Sequence, residues 1–398
     1  MPDSNTTPAW FVVAVTTAAQ MVVAMSNIVL PTIAPKVAES LGVDPVLVGY
    51  HVGLTFVSAA MASIYSGVFV LRWGAALMTQ CSMLFCVIGL GLFALPHVAF
   101  IALGSVAVGA GMGFASPAAA HLLVHHTVPE RRNLMFSIKQ TGVPLGGVIV
   151  ALMAPALAVT AGWQWALAAI SAVAVATLLA AGSARAAWDA DRRPTSTVRN
   201  EPFGGIPLVW RREALRWVCL AAVLFSAIQR ILLSYTVIYL VAEGGYGLVE
   251  AGVMLSVAQV GGSITRIPWG WLADRLESGL AVLGILCVLM IASSIALVSL
   301  DPGWPKPLVY VLFLVLGASC LGWNGIVHAE CARLSPPGMI SLVAGGTSFF
   351  IFGGVIFGPP VFALAYGTFG TYGATFSLMV AAGLASLAFL YLASRHAR

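Results

Sequence analysis

The chain has 398 residues, of which 60% are apolar, 8% are charged and 41 are glycine, and its net charge is +5. A soluble domain is about 25% charged, so charges this sparse cannot cover a water-facing surface, and a soluble globular enzyme is excluded. Disorder fails for the opposite reason, too much material seeking burial, and no basic patch on a soluble fold is there to hold nucleic acid.

A helix of roughly 20 apolar residues crosses about 30 Å of hydrocarbon. Runs of that length, bounded by Pro, Gly and charge, predict an all-α membrane protein with twelve spans. In chain order these are 10–34, 46–70, 75–95, 98–123, 134–159, 165–183, 215–241, 248–272, 280–300, 308–329, 340–365 and 372–394. The first is too long for the apolar core of a cleaved signal peptide, and Asp3 is the only charge before it. Between spans six and seven, residues 185–213 are rich in Arg, Pro, Asp and Thr and read as a solvated linker. The linker divides the chain into an N-terminal six-helix bundle, 1–184, and a C-terminal one, 214–398.

Positive charge fixes the expected direction. If the N-terminus is cytoplasmic, fourteen of the 19 Lys and Arg fall on the cytoplasmic side, only Lys36 and Lys306 fall outside, and Lys139, Arg230 and Arg266 lie within spans. The expected location is therefore the bacterial inner membrane, with both termini cytoplasmic. The six cysteines lie in or beside apolar runs without metal-ligand spacing and read as small buried hydrophobes.

The halves repeat at an offset of 203–208 residues. VAE at 37–39 recurs at 241–243, VGAG at 108–111 aligns with LGAS at 316–319, GGVI at 146–149 recurs at 353–356, and Gly67 matches Gly270. A duplicated six-span unit predicts that common offset. Paired six-span halves are a secondary-transporter architecture with the substrate site near the midplane.

The segment GWLADRLESG at 270–279 is similar to the loop signature of the major facilitator superfamily, with Gly270, Asp274 and Arg275 carrying the match. The equivalent loop in the first half, GVFVLRWG at 67–74, has Leu71 where that family places an Asp. TGVPLGG at 141–147 is similar to the family's Gly-Pro motif in span five, with Gly142, Pro144 and Gly146 in place, and Arg131 and Arg132 precede it. The resemblance implies twelve helices in two pseudo-symmetric bundles and no enzyme activity. Gly142 and Gly146 are spaced for close helix approach, as are Gly354 and Gly358. Pro144 removes a backbone hydrogen bond and is expected to bend span five.

The intramembrane cations carry the substrate argument. Each costs about 2.5–3.5 kcal/mol at the centre of a span, and no Asp or Glu lies deep in a span to neutralise them. An anionic ligand supplies the missing partner. Polar residues on shared faces add a lining: Thr16, Gln20 and Asn27 in span one, His51, Thr55, Ser58 and Tyr65 in span two, and Ser226, Gln229 and Arg230 in span seven. Span eight adds Ser256, Gln259, Ser263 and Arg266, and span ten adds Asn324 and His328. The expected substrate-binding set is Arg266, Arg230, Lys139, Gln140, Gln20, Asn27, Gln259, Tyr65 and Asn324.

The run from Arg266 to Asp274 is similar to span eight of the monocarboxylate and oxalate-type carriers of the superfamily, which implies that Arg266 pairs with a substrate carboxylate. A guanidinium fork matches a carboxylate geometrically, whereas a lysine acts as a point charge. Span one has no acid for proton coupling, which leaves His51, His121 and Glu330 as candidates. No phosphate-binding loop is present, and His125 and His126 have no third ligand nearby in the sequence, so they read as interfacial, with no metal or cofactor expected. The expectation is a monomeric secondary transporter, embedded in the bilayer, for a small organic anion, a mono- or dicarboxylate. The competing readings are an efflux antiporter for drugs or metabolites and a non-transporting membrane receptor.

Overall fold

The computed structural model describes residues 8–128, 132–192, 205–336 and 339–397. Twelve of its helices are long and apolar enough to cross a membrane. These are Ala9–Leu41, Pro45–Trp73, Ala75–Phe93, Val98–His126, Ile138–Thr160, Trp163–Ser183, Glu213–Ala242, Leu248–Arg275, Gly279–Val298, Lys306–Arg333, Val343–Phe369 and Tyr372–His396. They correspond one to one with the predicted spans, and no strand occurs among the described residues. The chain is a multi-pass membrane protein.

The largest boundary difference is at span one. Its helix continues through Pro31 and Pro35 to Leu41, where Gly42 turns into the left-handed region at φ 66° and ends it. Lys36 and Glu39, one turn apart, pair at 2.8 Å, so the charges that bound the apolar run lie on the helix itself. Span five tightens at Thr141, between the helices Arg132–Gln140 and Gly142–Thr160. The Thr141 N–H reaches back only three residues, to Ile138 O at 3.0 Å. Pro144, in the first turn of the second segment, has no N–H to offer Gln140.

The chain divides into two compact units. One comprises Met1–Val43 with Leu54–Asn200, the other Asp44–Gly53 with Glu201–Arg398. Within the first, span one packs on span five and span three packs on spans four and six. Within the second, span seven packs on span eleven, span eight on span ten and span nine on span twelve. Glycines show that the two frames repeat at the level of contacts. In span five, a Cβ on Gly142 would lie 2.6 Å from Thr17 O of span one. In span eleven, a Cβ on Gly358 would lie 2.8 Å from Ala227 Cα of span seven. Likewise a Cβ on Gly109 of span four would come within 2.7 Å of Ser58 Cβ of span two, and one on Gly317 of span ten within 2.7 Å of Ala258 Cα of span eight. The repeated motifs are the places where backbones touch.

The ends of the segment 185–213 are largely exposed, as at Arg185, Arg192, Arg211 and Arg212, but each anchors a few side chains on its unit. In the first unit Trp188 is buried against Phe11, with ring centroids 5.8 Å apart. Asp189, also buried, accepts from the N–H groups of Ala76 at 2.7 Å and Leu77 at 3.3 Å, the free donors at the start of span three. Burial pushes its carboxyl above the usual range, while those two N–H groups, Arg185 and Arg192 pull it back. In the second unit the helix Gly205–Arg211 buries Val209, and Gly205 lies against Gly346 of span eleven. The middle of the segment, 193–204, lies outside the described residues, as do Arg131 and the side chain of Arg132. Five of the six cysteines are buried and all six are free.

Candidate functional site

Span ten does not run straight through its apolar stretch. One helix ends at Cys320 and the next begins at Asn324. Gly322 makes room for this, because a Cβ there would lie 2.7 Å from both Ala318 O and the indole Cδ1 of Trp269. A broken helix frees carbonyls that hydrocarbon cannot hydrate. Two indoles serve them: Trp269 Nε1 of span eight donates to Ala318 O at 3.0 Å, and Trp323 Nε1 donates to Cys320 O at 3.0 Å.

The restart aims Asn324 at span seven, where its Nδ2 donates to Gln229 Oε1 at 3.2 Å. Arg230, the next residue along, is half-buried. From span eight, Ser256 and Gln259 are buried, and Ser256 and Ser263 donate their hydroxyls to carbonyls of their own helix at 2.7 Å. Gln259 Nε2 is buried without a partner. Arg266, one turn before Trp269, is exposed and forms no hydrogen bond or ion pair among the described residues. It does not pair with Asp274. Arg275 instead stacks over Trp271 at 5.2 Å, and Gly270 has nothing within 4 Å of where a Cβ would stand. The second unit thus joins Asn324 to Gln229 at the break, while Gln259 and Arg266 lie along span eight, Arg266 one turn before Trp269.

The polar residues of the first unit are arranged differently. Lys139 is buried at 6% exposure, and its one polar partner among the described residues is Gln140 Oε1 at 3.3 Å. It sits one turn before Gly142, whose contact with span one falls at Thr17, Gln20 and Met21. Gln20 Oε1 and both amide atoms of Asn27 are buried without partners. Tyr65 is 46% exposed and begins an aromatic ladder, stacking on Phe69 at 6.3 Å, which stacks on Trp73 at 4.5 Å.

Two of the proton-coupling candidates are already engaged. Glu330 is held by Arg333, whose Nε lies 3.1 Å from its Oε2, and His121 Nε2 lies 2.7 Å from Asp191 Oδ2. His51 is buried, on the segment Asp44–Gly53 that belongs to the second unit. Sequence reading missed Trp269, Trp323 and the break in span ten. The signal for them was Gly322 and Gly325 flanking Trp323 and Asn324 within an otherwise apolar run.

Solved structures of transporters share this fold. A peptide transporter of the POT type aligns with a TM-score of 0.78 and 15% identity over 97% of this chain and 95% of its own. A D-xylose-proton symporter aligns with a TM-score of 0.75 and 13% identity over 97% and 98%. A bacterial homolog of the human lysosomal transporter Spinster aligns with a TM-score of 0.71 and 18% identity over 97% of each chain. In sequence, an uncharacterized MFS-type transporter of Mycobacterium tuberculosis is 25% identical over 60% of this chain and 51% of its own. The chain spans about half the length of the curated relatives it matches. The sequence model of the Major Facilitator Superfamily matches residues 16–359, and with twelve spans and the repeated frame the chain belongs to that superfamily.

Proposed function

We propose that this transporter carries a small organic anion, a mono- or dicarboxylate, across the bacterial inner membrane by alternating access, as a monomer with both termini cytoplasmic. The observation that carries the reading is Arg266. A guanidinium in a membrane span with no acid within ion-pair distance is costly unless a ligand neutralises it, and its planar fork matches a carboxylate. Gln259, Arg230 and Asn324 are the further polar residues proposed from the same unit. Lys139, with Gln140, Gln20 and Asn27, is the cationic patch of the first unit. His51, His121 and Glu330 are the proposed proton-coupling candidates, of which His121 pairs with Asp191 and Glu330 with Arg333.

A thermal-shift panel on the purified chain tests the reading, with mono- and dicarboxylates set against lipophilic cations. Carboxylates are expected to raise Tm and to be taken up by proteoliposomes. Stabilisation by the cations alone would replace the anion reading with drug efflux. Binding of a carboxylate without flux would leave a receptor. Cysteine tagging between residues 193 and 204 tests the topology, and labelling from the periplasmic side of intact cells would overturn it.

A further inference from the structure

Three metal-ligating side chains meet in the first unit, away from the polar patch just described. His121 and His125 lie four residues apart in span four and so share one face of the helix. Their rings are 4.3 Å apart. Asp191 approaches from the segment that follows span six, and its Oδ2 lies 2.7 Å from His121 Nε2 and 3.5 Å from His125 Nε2. All three ligand atoms fall within 4.8 Å of one another.

Asp191 is held in place rather than left on a loose loop. Two residues earlier, Asp189 is fixed by the N–H groups of Ala76 and Leu77, and Trp188 before it is buried. Arg192 N–H closes a turn back to Asp189 O at 3.3 Å. The next histidine along, His126, turns away, with Nδ1 3.1 Å from Leu122 O. The convergence on one carboxylate oxygen is therefore specific to His121 and His125.

We infer that His121, His125 and Asp191 form a site for a first-row transition dication of the Zn²⁺ type, tying the end of span four to the segment after span six. Imidazole with carboxylate is a zinc-type donor set, and three protein ligands leave a position for water. Tetrahedral bonds of about 2.0–2.1 Å place ligand atoms roughly 3.3 Å apart. The two observed separations from Asp191 Oδ2 bracket that value and the third lies within 4.8 Å, so side-chain movements of about an ångström would seat the ion. Bound metal stabilises the folded unit by mass action.

The test uses full-length chain purified without a histidine tag, with Zn²⁺ alone as the probe. Zn²⁺ is expected to raise Tm saturably, with one ion per chain by calorimetry. His125→Ala and Asp191→Asn should each weaken binding by at least about tenfold, as losing even an outer-shell partner does, whereas His126→Ala should not. Co²⁺ gives a second readout on the folded protein: visible ligand-field bands in the wild type, lost in Asp191→Asn. Zn²⁺ affinity unchanged by both substitutions, or no Zn²⁺ binding by the folded wild type, would overturn the site. The result is independent of what the transporter carries.

Discussion

The two units share a packing frame and differ in how their polar interiors are satisfied. In the second, Gln229 bonds Asn324 and two indoles serve the carbonyls of the broken span ten, while Gln259 Nε2 is buried without a partner and the Arg266 guanidinium forms no ion pair among the described residues. In the first, Lys139 has only a 3.3 Å contact with Gln140, while Gln20 and Asn27 keep buried atoms without partners. Duplication preserved the places where backbones touch and let the polar groups diverge. Packing at a glycine tolerates no addition, whereas a polar side chain in a cavity is free to change with the ligand. Both units thus hold open hydrogen-bonding capacity, the second at Gln259 and the first at Gln20 and Asn27, and they differ in their cation, an exposed guanidinium at Arg266 against a buried ammonium at Lys139.

The shared frame is broken most severely at its glycines. Gly317→Leu would drive a side chain into the backbone of span eight, and Gly109→Leu into that of span two. Overpacking of this kind costs about 1–3 kcal/mol or more, so both variants should lose most of their monodisperse protein in size-exclusion chromatography. Loss for only one of them would mean that the frames are not equivalent.

The next effect separates the units. Arg266→Lys keeps the charge and loses the fork; since a charged hydrogen bond contributes about 1.5–3 kcal/mol, carboxylate affinity should fall roughly ten- to a hundredfold. Lys139→Arg keeps a charge whose geometry matters less and should lose under about tenfold. Isothermal titration of both variants with one carboxylate measures the contrast. Equal losses would place the two cations in the same role.

Asn27→Leu sharpens the comparison through stability. Removing a buried amide with no partner relieves a penalty of about 1–3 kcal/mol, so Tm should rise while substrate affinity drops. A fall in Tm would show that Asn27 is structural. The smallest effect is at Gly270, where a Cβ meets nothing, so Gly270→Ala should leave Tm within experimental scatter.

The twelve spans were legible because hydrocarbon demands apolar length, and length is written directly in the sequence. Their ends were less so. Span one runs on to Leu41 because Lys36 and Glu39 pair along the helix, and charge alone does not end a helix. The repeat was legible as short matching strings, and its physical content, backbone contact at Gly109 and Gly317, needed three dimensions. Arg266 could be singled out by its charge, yet its lack of a partner depends on everything within reach of it. The His121–His125–Asp191 cluster was hidden by the 65 residues of chain between His125 and Asp191, a separation that span six and the anchoring of Asp189 close.

The break in span ten also constrains how this sequence can drift. Gly322 leaves the space that Trp269 fills, Trp269 caps the carbonyl of Ala318, and Trp323 caps that of Cys320. Replacing Trp323 removes the indole donor of the Cys320 carbonyl, replacing Trp269 leaves Ala318 O only the 3.4 Å contact from Thr265 Oγ1, and enlarging Gly322 evicts the ring that covers it. None of the three can be exchanged first without loss. They behave as one heritable character, and a descendant lacking any of them is expected to have straightened the helix and surrendered the aim of Asn324 with it.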